Sequence, residues 1–209
     1  IIEGVCKLQP GHFLVSRKGQ TKIEKWYNLP ESNYSDISYS NASKKLDELI
    51  DDSVKLRLIS DVPLGCFLSG GIDSSVIAAV ATRYKPDLMT FSIGFPDQPY
   101  FDETRWAEMA ANHLKTNHRS FQVTNKDLLD VLPDVLNYFD EPFADSSAVL
   151  VNILSRETRK HVTVALSGDG ADELFGGYRK HLAHLKAVEL RKFRYLARLS
   201  NPVLRSLPQ

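Results

Sequence analysis

The residues best suited to chemistry lie in a glycine- and serine-rich segment, Leu68-Ser69-Gly70-Gly71-Ile72-Asp73-Ser74-Ser75. We name it the first loop. It follows an apolar run typical of a buried strand and leads into a predicted helix, an arrangement whose backbone N–H groups bind phosphate. The two glycines allow an anion to approach the backbone closely. The segment has no lysine, which excludes the phosphate loop of kinases and GTPases and favours a metal held by Asp73 to screen phosphate charge.

A second segment carries carboxylates at the end of another apolar run: Ser167-Gly168-Asp169-Gly170-Ala171-Asp172-Glu173, continuing to Tyr178. We name it the second loop. Like charges this close together repel one another unless a cation lies among them. If the strands before the two loops are neighbours, Asp73 and Asp172 face one crevice and can share a metal ion, since ligands of such sheets bind at that edge. The alternative is a solvated acidic turn that caps the next helix.

Alternating strand and helix patterns must position these two loops. Strands are predicted at Leu64–Leu68, Leu88–Phe95, His118–Val123 and Val162–Leu166. Helices are predicted at Ala42–Leu58, Ser75–Arg83, Asp102–Leu114, two segments from Thr124 to Phe139 with Pro133 opening the second, and Ser147–Lys160. This alternation predicts an α/β fold with a doubly wound parallel sheet and right-handed crossovers.

The N-terminal residues have a different pattern. Residues 1–30 read as short strands, including Gly4–Leu8, separated by turns such as Lys18-Gly19, and residues 31–41 read as a linker. Residues 42–209 then form the predicted α/β domain. Because the chain lacks an initiator Met and opens in the middle of a pattern, we expect a fragment of a longer protein.

Composition excludes several classes of function. The 209 residues contain 26 basic and 26 acidic side chains, so no net charge recruits nucleic acid or an anionic membrane. Only two cysteines occur, Cys6 and Cys66, without metal-ligand spacing, which favours a reducing, cytoplasmic setting. Cys66 lies inside a predicted strand, where a buried apolar role is expected.

The two loops together resemble the synthetase domain of glutamine-dependent asparagine synthetases, and residues 1–30 are similar to the last strands of the glutaminase domain that precedes it in that family. The resemblance implies the ATP pyrophosphatase fold, ATP and Mg²⁺ as cofactors, and a cytoplasmic homodimer. It implies adenylation of a carboxylate, most simply L-aspartate, followed by attack of ammonia derived from glutamine.

The resemblance also assigns roles to individual residues. Asp73 and Asp172 match the Mg²⁺ ligands, and Asp169 matches the carboxylate thought to accept a proton from ammonia. The implied ATP-binding residues are Leu68, Ser69, Gly70, Gly71, Asp73, Ser74, Ser75, Ile93, Ser167 and Gly168.

The sequence departs from the family pattern at two positions that matter. Asp169 replaces the usual Glu and is one methylene shorter. The segment from Asp140 to Ser147 lacks the Arg that many family members carry, so Arg156, Arg179 and Lys180 are the nearby cations left to bind an acceptor carboxylate. The alternatives are therefore another acceptor, such as a cell-envelope sugar acid or peptide, another pyrophosphate-loop enzyme, or a non-catalytic nucleotide-binding module.

Overall fold

The computed structural model describes residues 2–29, 36–141 and 143–190. The chain divides into two compact units, Ile1–Ser43 and Lys44–Gln209. Part of the predicted linker at 31–41, and the end of the predicted α/β domain at 191–209, lie outside the described residues. None of the helices in the described residues combines the length and apolar character that crossing a membrane requires.

The first unit contains one antiparallel hairpin. Strand β1 (His12–Arg17) pairs with β2 (Gln20–Lys25), with Arg17 opposite Gln20. Both connecting residues, Lys18 and Gly19, have positive φ, as a tight two-residue hairpin turn requires. The turn predicted at Lys18-Gly19 is confirmed. The strand predicted at Gly4–Leu8 is wrong, because Gly4 lies in a turn with φ of 80° and no strand is formed there.

The second unit is built on a parallel sheet of four strands. These are β3 (Leu64–Phe67), β4 (Met89–Gly94), β5 (Asn117–Gln122) and β6 (Val164–Leu166). Their order is β5-β4-β3-β6, and all three pairings are parallel. The predicted α/β class with a parallel sheet is confirmed.

Helices cover both faces of this sheet. Helices α1 (Tyr39–Arg57), α2 (Ile72–Tyr84) and α3 (Thr104–Leu114) share one core cluster with β3. Helices α4 (Asn125–Tyr138) and α5 (Ser147–Arg159) pack around Val123 in a second cluster. Two clusters on opposite faces of one sheet are the doubly wound arrangement that the alternation predicted. The short α6 (Ala171–Phe175) and α7 (Arg179–Leu190) follow β6.

Three of the predicted helices differ from those in the structure. Helix α1 begins at Tyr39 rather than Ala42, so residues 39–41 of the predicted linker are helical. Helix α2 begins at Ile72 rather than Ser75, so half of the first loop is helical. Helix α4 is continuous and contains Pro133, where two segments were predicted. Val131 and Val135 on either side of the proline are both buried against the second cluster, which stabilises one unbroken helix.

The buried structural role expected for Cys66 is confirmed. Its side chain is fully buried in the first core cluster, and burial raises the pKa of the thiol to about 12. The thiolate is therefore not populated at neutral pH, which excludes Cys66 as a nucleophile.

Candidate functional site

The sheet order places both loops at one point. Strands β3 and β6 are neighbours, with Leu64 beside Val164 and Cys66 beside Leu166. The chain leaves β3 toward α2, whereas it reaches β6 from α5 on the other face. The winding direction therefore reverses between β3 and β6, which is where open α/β sheets bind ligands at the carboxyl ends of their strands. The adjacency assumed for the shared crevice is confirmed.

The first loop is held by its own hydroxyl groups. The Ser69 N–H donates to Ser74 Oγ at 3.2 Å, and the Gly71 N–H donates to Ser69 Oγ at 3.2 Å. The two hydroxyls lie 3.0 Å apart, and Ser74 Oγ also donates to the Gly71 carbonyl at 3.3 Å. Ser69 and Ser74 therefore fix the shape of the loop before any ligand binds.

Helix α2 begins without a side-chain cap. Gly71 is its N-cap residue and offers no side-chain acceptor, so the first N–H groups of the helix are left for another partner. Asp73, Ser74 and Ser75 all lie in this first turn. An anion at this helix start would meet free N–H donors and the positive end of the helix dipole.

The second loop contacts the first through Gly168. A β-carbon placed on Gly168 would lie 2.9 Å from the backbone nitrogen of Ser74 and 3.0 Å from the β-carbon of Asp73. Only a residue without a side chain permits this approach. The structure thus brings together Asp73 and Ser74 of one predicted motif and Gly168 of the other.

Asp169 is oriented by its neighbour. The Ser167 hydroxyl donates to Asp169 Oδ2 at 2.9 Å, while the Asp169 N–H donates back to Ser167 Oγ at 3.4 Å. This small ring leaves one carboxylate oxygen of Asp169 for another partner.

Asp172 lies in the first turn of α6, and the following chain folds back onto it. The N–H groups of Gly176 and Gly177 both donate to the Asp172 carbonyl, at 3.0 Å for Gly177. Tyr178 then donates its hydroxyl hydrogen to Glu173 Oε1 at 2.7 Å. This bond raises the pKa of Tyr178 to about 12 and lowers the pKa of Glu173. Sequence reasoning missed this pair, for which the only signal was an aromatic residue after two glycines.

Two of the implied ATP-binding residues have their side chains in the core. Leu68 is fully buried in the first cluster, and its N–H donates to the Phe91 carbonyl at 2.8 Å. Ile93 is half-buried and packs against the second cluster. Leu68 directly follows β3, and Ile93 lies on the neighbouring β4. Because their side chains pack in the core, contacts of these two residues with ATP would come from their backbone atoms.

That Asp73 and Asp172 share a magnesium ion stays a prediction. In the part of the chain that the structure describes, no three His, Cys, Asp or Glu side chains are grouped as a metal site. Mg²⁺ commonly binds through one or two carboxylates together with phosphate oxygens and waters, so two carboxylates suffice.

The candidate cations for an acceptor carboxylate have different surroundings. Arg156 pairs with Glu157 at 3.4 Å and lines a cavity of about 920 Å³ together with Ser147. The Lys180 ammonium lies over the Tyr178 ring, 4.3 Å from its centroid. Arg179 opens α7 and is exposed.

Comparison with known proteins gives the family. The asparagine synthase family model matches residues 45–207, most of the chain. The chain belongs to the asparagine synthase family. The prediction drawn from the two loops is thereby confirmed at the level of family.

Several relatives have names that state an activity. The chain is 39% identical over 208 residues to a putative glutamine-hydrolyzing asparagine synthetase of Mycobacterium tuberculosis, covering 98% of this chain and 31% of the relative. It is 40% identical over 177 residues to asparagine synthetase [glutamine-hydrolyzing] 1 of Bacillus subtilis, covering 83% of this chain and 27% of that one. Asparagine synthetase B of Escherichia coli is 32% identical, with 80% and 33% covered. The chain thus spans about a third of the length of these relatives.

Among solved structures, an NMN synthetase from Francisella tularensis matches with a TM-score of 0.44 and 19% identity, covering 68% of this chain and 59% of that one. An NH3-dependent NAD synthetase from Campylobacter jejuni matches with a TM-score of 0.41 and 17% identity, covering 68% and 61%.

Proposed function

We propose that the full-length protein catalyses ATP-dependent amidation of a carboxylate through an acyl-adenylate, with release of AMP and pyrophosphate. The observation that carries this proposal is the contact of Gly168 with Asp73 and Ser74. It joins an uncapped helix start, suited to phosphate, to a loop of carboxylates suited to a metal and a proton. An ordinary helix-capping turn does not require two such loops to touch.

In this proposal the first loop binds the phosphates of ATP. Backbone N–H groups at the start of α2 and the hydroxyl of Ser75 donate to phosphate oxygens, while the hydroxyls of Ser69 and Ser74 hold the loop in shape. Asp73 and Asp172 would hold Mg²⁺, which when bound spreads charge from the departing pyrophosphate. The N–H groups keep the phosphates fixed while the acceptor carboxylate attacks the α-phosphorus.

Asp169 is proposed as the proton acceptor for ammonia. Ser167 holds one carboxylate oxygen, so the other can take a proton from the nitrogen as it attacks the acyl carbon. The shorter side chain of Asp169 keeps that oxygen closer to the backbone of the second loop than a glutamate would. The acceptor must therefore bind close to the end of β6.

L-Aspartate is the proposed acceptor, because the relatives are named asparagine synthetases. Its α-carboxylate needs a cation, and Arg179, which is exposed and directly follows the second loop, is the proposed one. The second candidate is another carboxylate acceptor with the same chemistry. It is favoured by the pairing of Arg156 with Glu157, which leaves few cations free near the segment from Asp145 to Ser147.

The remaining parts of the proposal rest on the family. Ammonia comes from glutamine, residues 1–30 are the end of a glutaminase domain, residues 31–41 are a linker, and residues 42–209 belong to the synthetase domain. We propose a homodimer in the cytoplasm, in keeping with free thiols at Cys6 and Cys66.

The test is pyrophosphate release by the full-length protein, measured with ATP, Mg²⁺ and ammonia across L-aspartate and a panel of other carboxylates. Release that depends on one carboxylate, with AMP formed in equal amount, supports the proposal and identifies the acceptor. ADP and phosphate as products would indicate a different activation chemistry. ATP binding without any turnover would support a non-catalytic nucleotide-binding module.

A further inference from the structure

The chain after α6 folds back onto the two acidic residues of that helix. Gly177 lies against the Asp172 side chain so closely that a β-carbon on Gly177 would be 1.9 Å from Asp172 Oδ1. The carboxylate of Asp172 therefore occupies the space that a side chain at position 177 would need. One residue later, the Tyr178 hydroxyl binds Glu173, the neighbour of Asp172. We name residues 172–178, closed by this bond, the tyrosine clasp.

Further contacts hold Tyr178 in position. The Lys180 ammonium lies over its ring, 4.3 Å from the centroid, and the His181 ring meets its edge with centroids 5.5 Å apart. A cation over one face and an aromatic ring at the edge both restrict the tyrosine ring. The hydroxyl is thus directed at Glu173 by α7, rather than being free to turn into solvent.

We infer that Tyr178 is a positioning residue that sets the orientation of the Asp172 carboxylate, through Glu173 and Gly177. This inference rests on the proposed function, in which Asp172 is a metal ligand. Helix α6 has only five residues and buries none of them, so it has little packing of its own to fix its side chains. The clasp supplies that constraint. Partners that orient a metal ligand typically change metal affinity by about 10–100-fold when removed.

The test is metal binding by the full-length protein, with Mn²⁺ as the probe and an ATP analogue that cannot be cleaved. Electron paramagnetic resonance measures the affinity for Mn²⁺. Tyr178→Phe removes only the hydroxyl and should weaken Mn²⁺ binding about tenfold. Tyr39→Phe is the matched control, since Tyr39 is 90% exposed and opens α1, outside both loops. The control should bind Mn²⁺ like the unchanged protein.

Gly177→Ala tests the same inference without touching the tyrosine. Its new methyl group must displace the Asp172 carboxylate, a flexible side-chain end, while φ of Gly177 lies outside the left-handed region. The fold should therefore survive, and Mn²⁺ affinity should fall at least as far as in Tyr178→Phe. Glu173→Gln keeps an acceptor for the tyrosine hydroxyl and should retain more Mn²⁺ affinity than Tyr178→Phe.

Nucleotide affinity measured in EDTA separates a positioning role from a general structural one. It should be unchanged in Tyr178→Phe and Gly177→Ala, because the first loop is intact. Unchanged Mn²⁺ affinity in both variants overturns the inference, as does an equal loss of nucleotide affinity in EDTA. If the unchanged protein binds nucleotide identically with and without metal, the proposed function itself fails, and the inference fails with it.

Discussion

Gly70 lies directly against the backbone of Trp106 at the start of α3. A β-carbon placed on Gly70 would be 2.4 Å from the Trp106 carbonyl carbon and 2.5 Å from the Ala107 nitrogen. Gly70 also has φ of +84°, which L side chains rarely adopt. Both the conformation and the space at this position therefore require glycine, and the first loop is fixed to α3 by this contact.

We expect Gly70→Ala to destabilise the fold by at least about 2 kcal/mol, because strain in φ adds to a clash with main-chain atoms that cannot move aside. Gly71→Ala is the matched control. Gly71 has φ of −65°, and a β-carbon there would meet only Ser69 Oγ at 3.3 Å. Chemical denaturation should show a small change for Gly71→Ala. Equal losses in the two variants would mean that the packing of the loop on α3 is unimportant for stability.

Substitutions of Asp73, Asp172 and Asp169 should affect different half-reactions, either adenylation of the acceptor or attack by ammonia. In the full-length enzyme, Asp73→Asn and Asp172→Asn should abolish the burst of pyrophosphate, because in the proposed function adenylation needs the Mg²⁺ that these two carboxylates would hold. Asp169→Asn should keep the burst and slow the ammonia step by about 10²-fold, as expected for loss of a general base. Rapid-quench measurement of pyrophosphate and amide separates the steps. Loss of the burst in Asp169→Asn would move that residue into ATP or metal binding.

Much of this site was predictable from the sequence because parallel α/β folds have strict rules. Ligands of such sheets bind where the winding reverses, so the sequence predicts a shared crevice if the strands before the two loops are neighbours. The structure supplies that condition, because β3 and β6 are adjacent. The roles of glycines were harder to predict. Gly168 and Gly177 have no positive φ, so their need for glycine comes from the close approach of Asp73, Ser74 and Asp172 rather than from local backbone shape.

The start of α2, the continuity of α4 and the bond between Tyr178 and Glu173 have no signal in the local sequence. Nothing within the first loop indicates that α2 starts at Ile72. The side chain of Ile72 is 82% exposed, so it does not pack in the core and gives no helical pattern of buried residues. The helix through Pro133 depends on burial of Val131 and Val135 against α5. The bond between Tyr178 and Glu173 depends on the reversal at Gly176, with φ of 70°, which sequence spacing alone does not specify.

Arg179 and Arg156 offer a comparison of two possible acceptor sites. Arg179→Ala should raise the KM for the acceptor about tenfold with little change in the KM for ATP, the loss expected for one charge-assisted contact to a carboxylate. Arg156→Ala should have a smaller effect, because its guanidinium already pairs with Glu157. Steady-state kinetics of the full-length enzyme checks both. A larger acceptor effect in Arg156→Ala would place the acceptor at the cavity that Arg156 lines.

His118 should make the sheet sensitive to acid. Its ring nitrogens contact the hydroxyls of Thr90 at 2.9 Å and Ser92 at 3.1 Å, and burial lowers the pKa of the imidazole although Glu108 opposes this. Below the ordinary pKa of about 6.5 the unfolded chain binds a proton that the folded chain resists. Stability is therefore full above that pH and falls as pH decreases toward the folded pKa.

His118→Gln should reduce this acid sensitivity. The midpoint of chemical denaturation should fall when the pH is lowered from neutral to mildly acid. We expect this fall to be smaller in His118→Gln than in the unchanged protein. His113→Gln, which alters an exposed histidine on α3, should retain the full loss. An unchanged pH dependence in His118→Gln would show that other groups govern the acid response.

In the proposed reaction, the two loops activate a carboxylate by joining it to AMP. The most direct measurement follows a heavy oxygen isotope placed in the acceptor carboxylate during turnover of the full-length enzyme, with products read by mass spectrometry. An acyl-adenylate transfers one labelled oxygen to AMP when ammonia displaces the nucleotide, so we expect the label in AMP and none in pyrophosphate. Label in inorganic phosphate, or AMP without label, would contradict an acyl-adenylate.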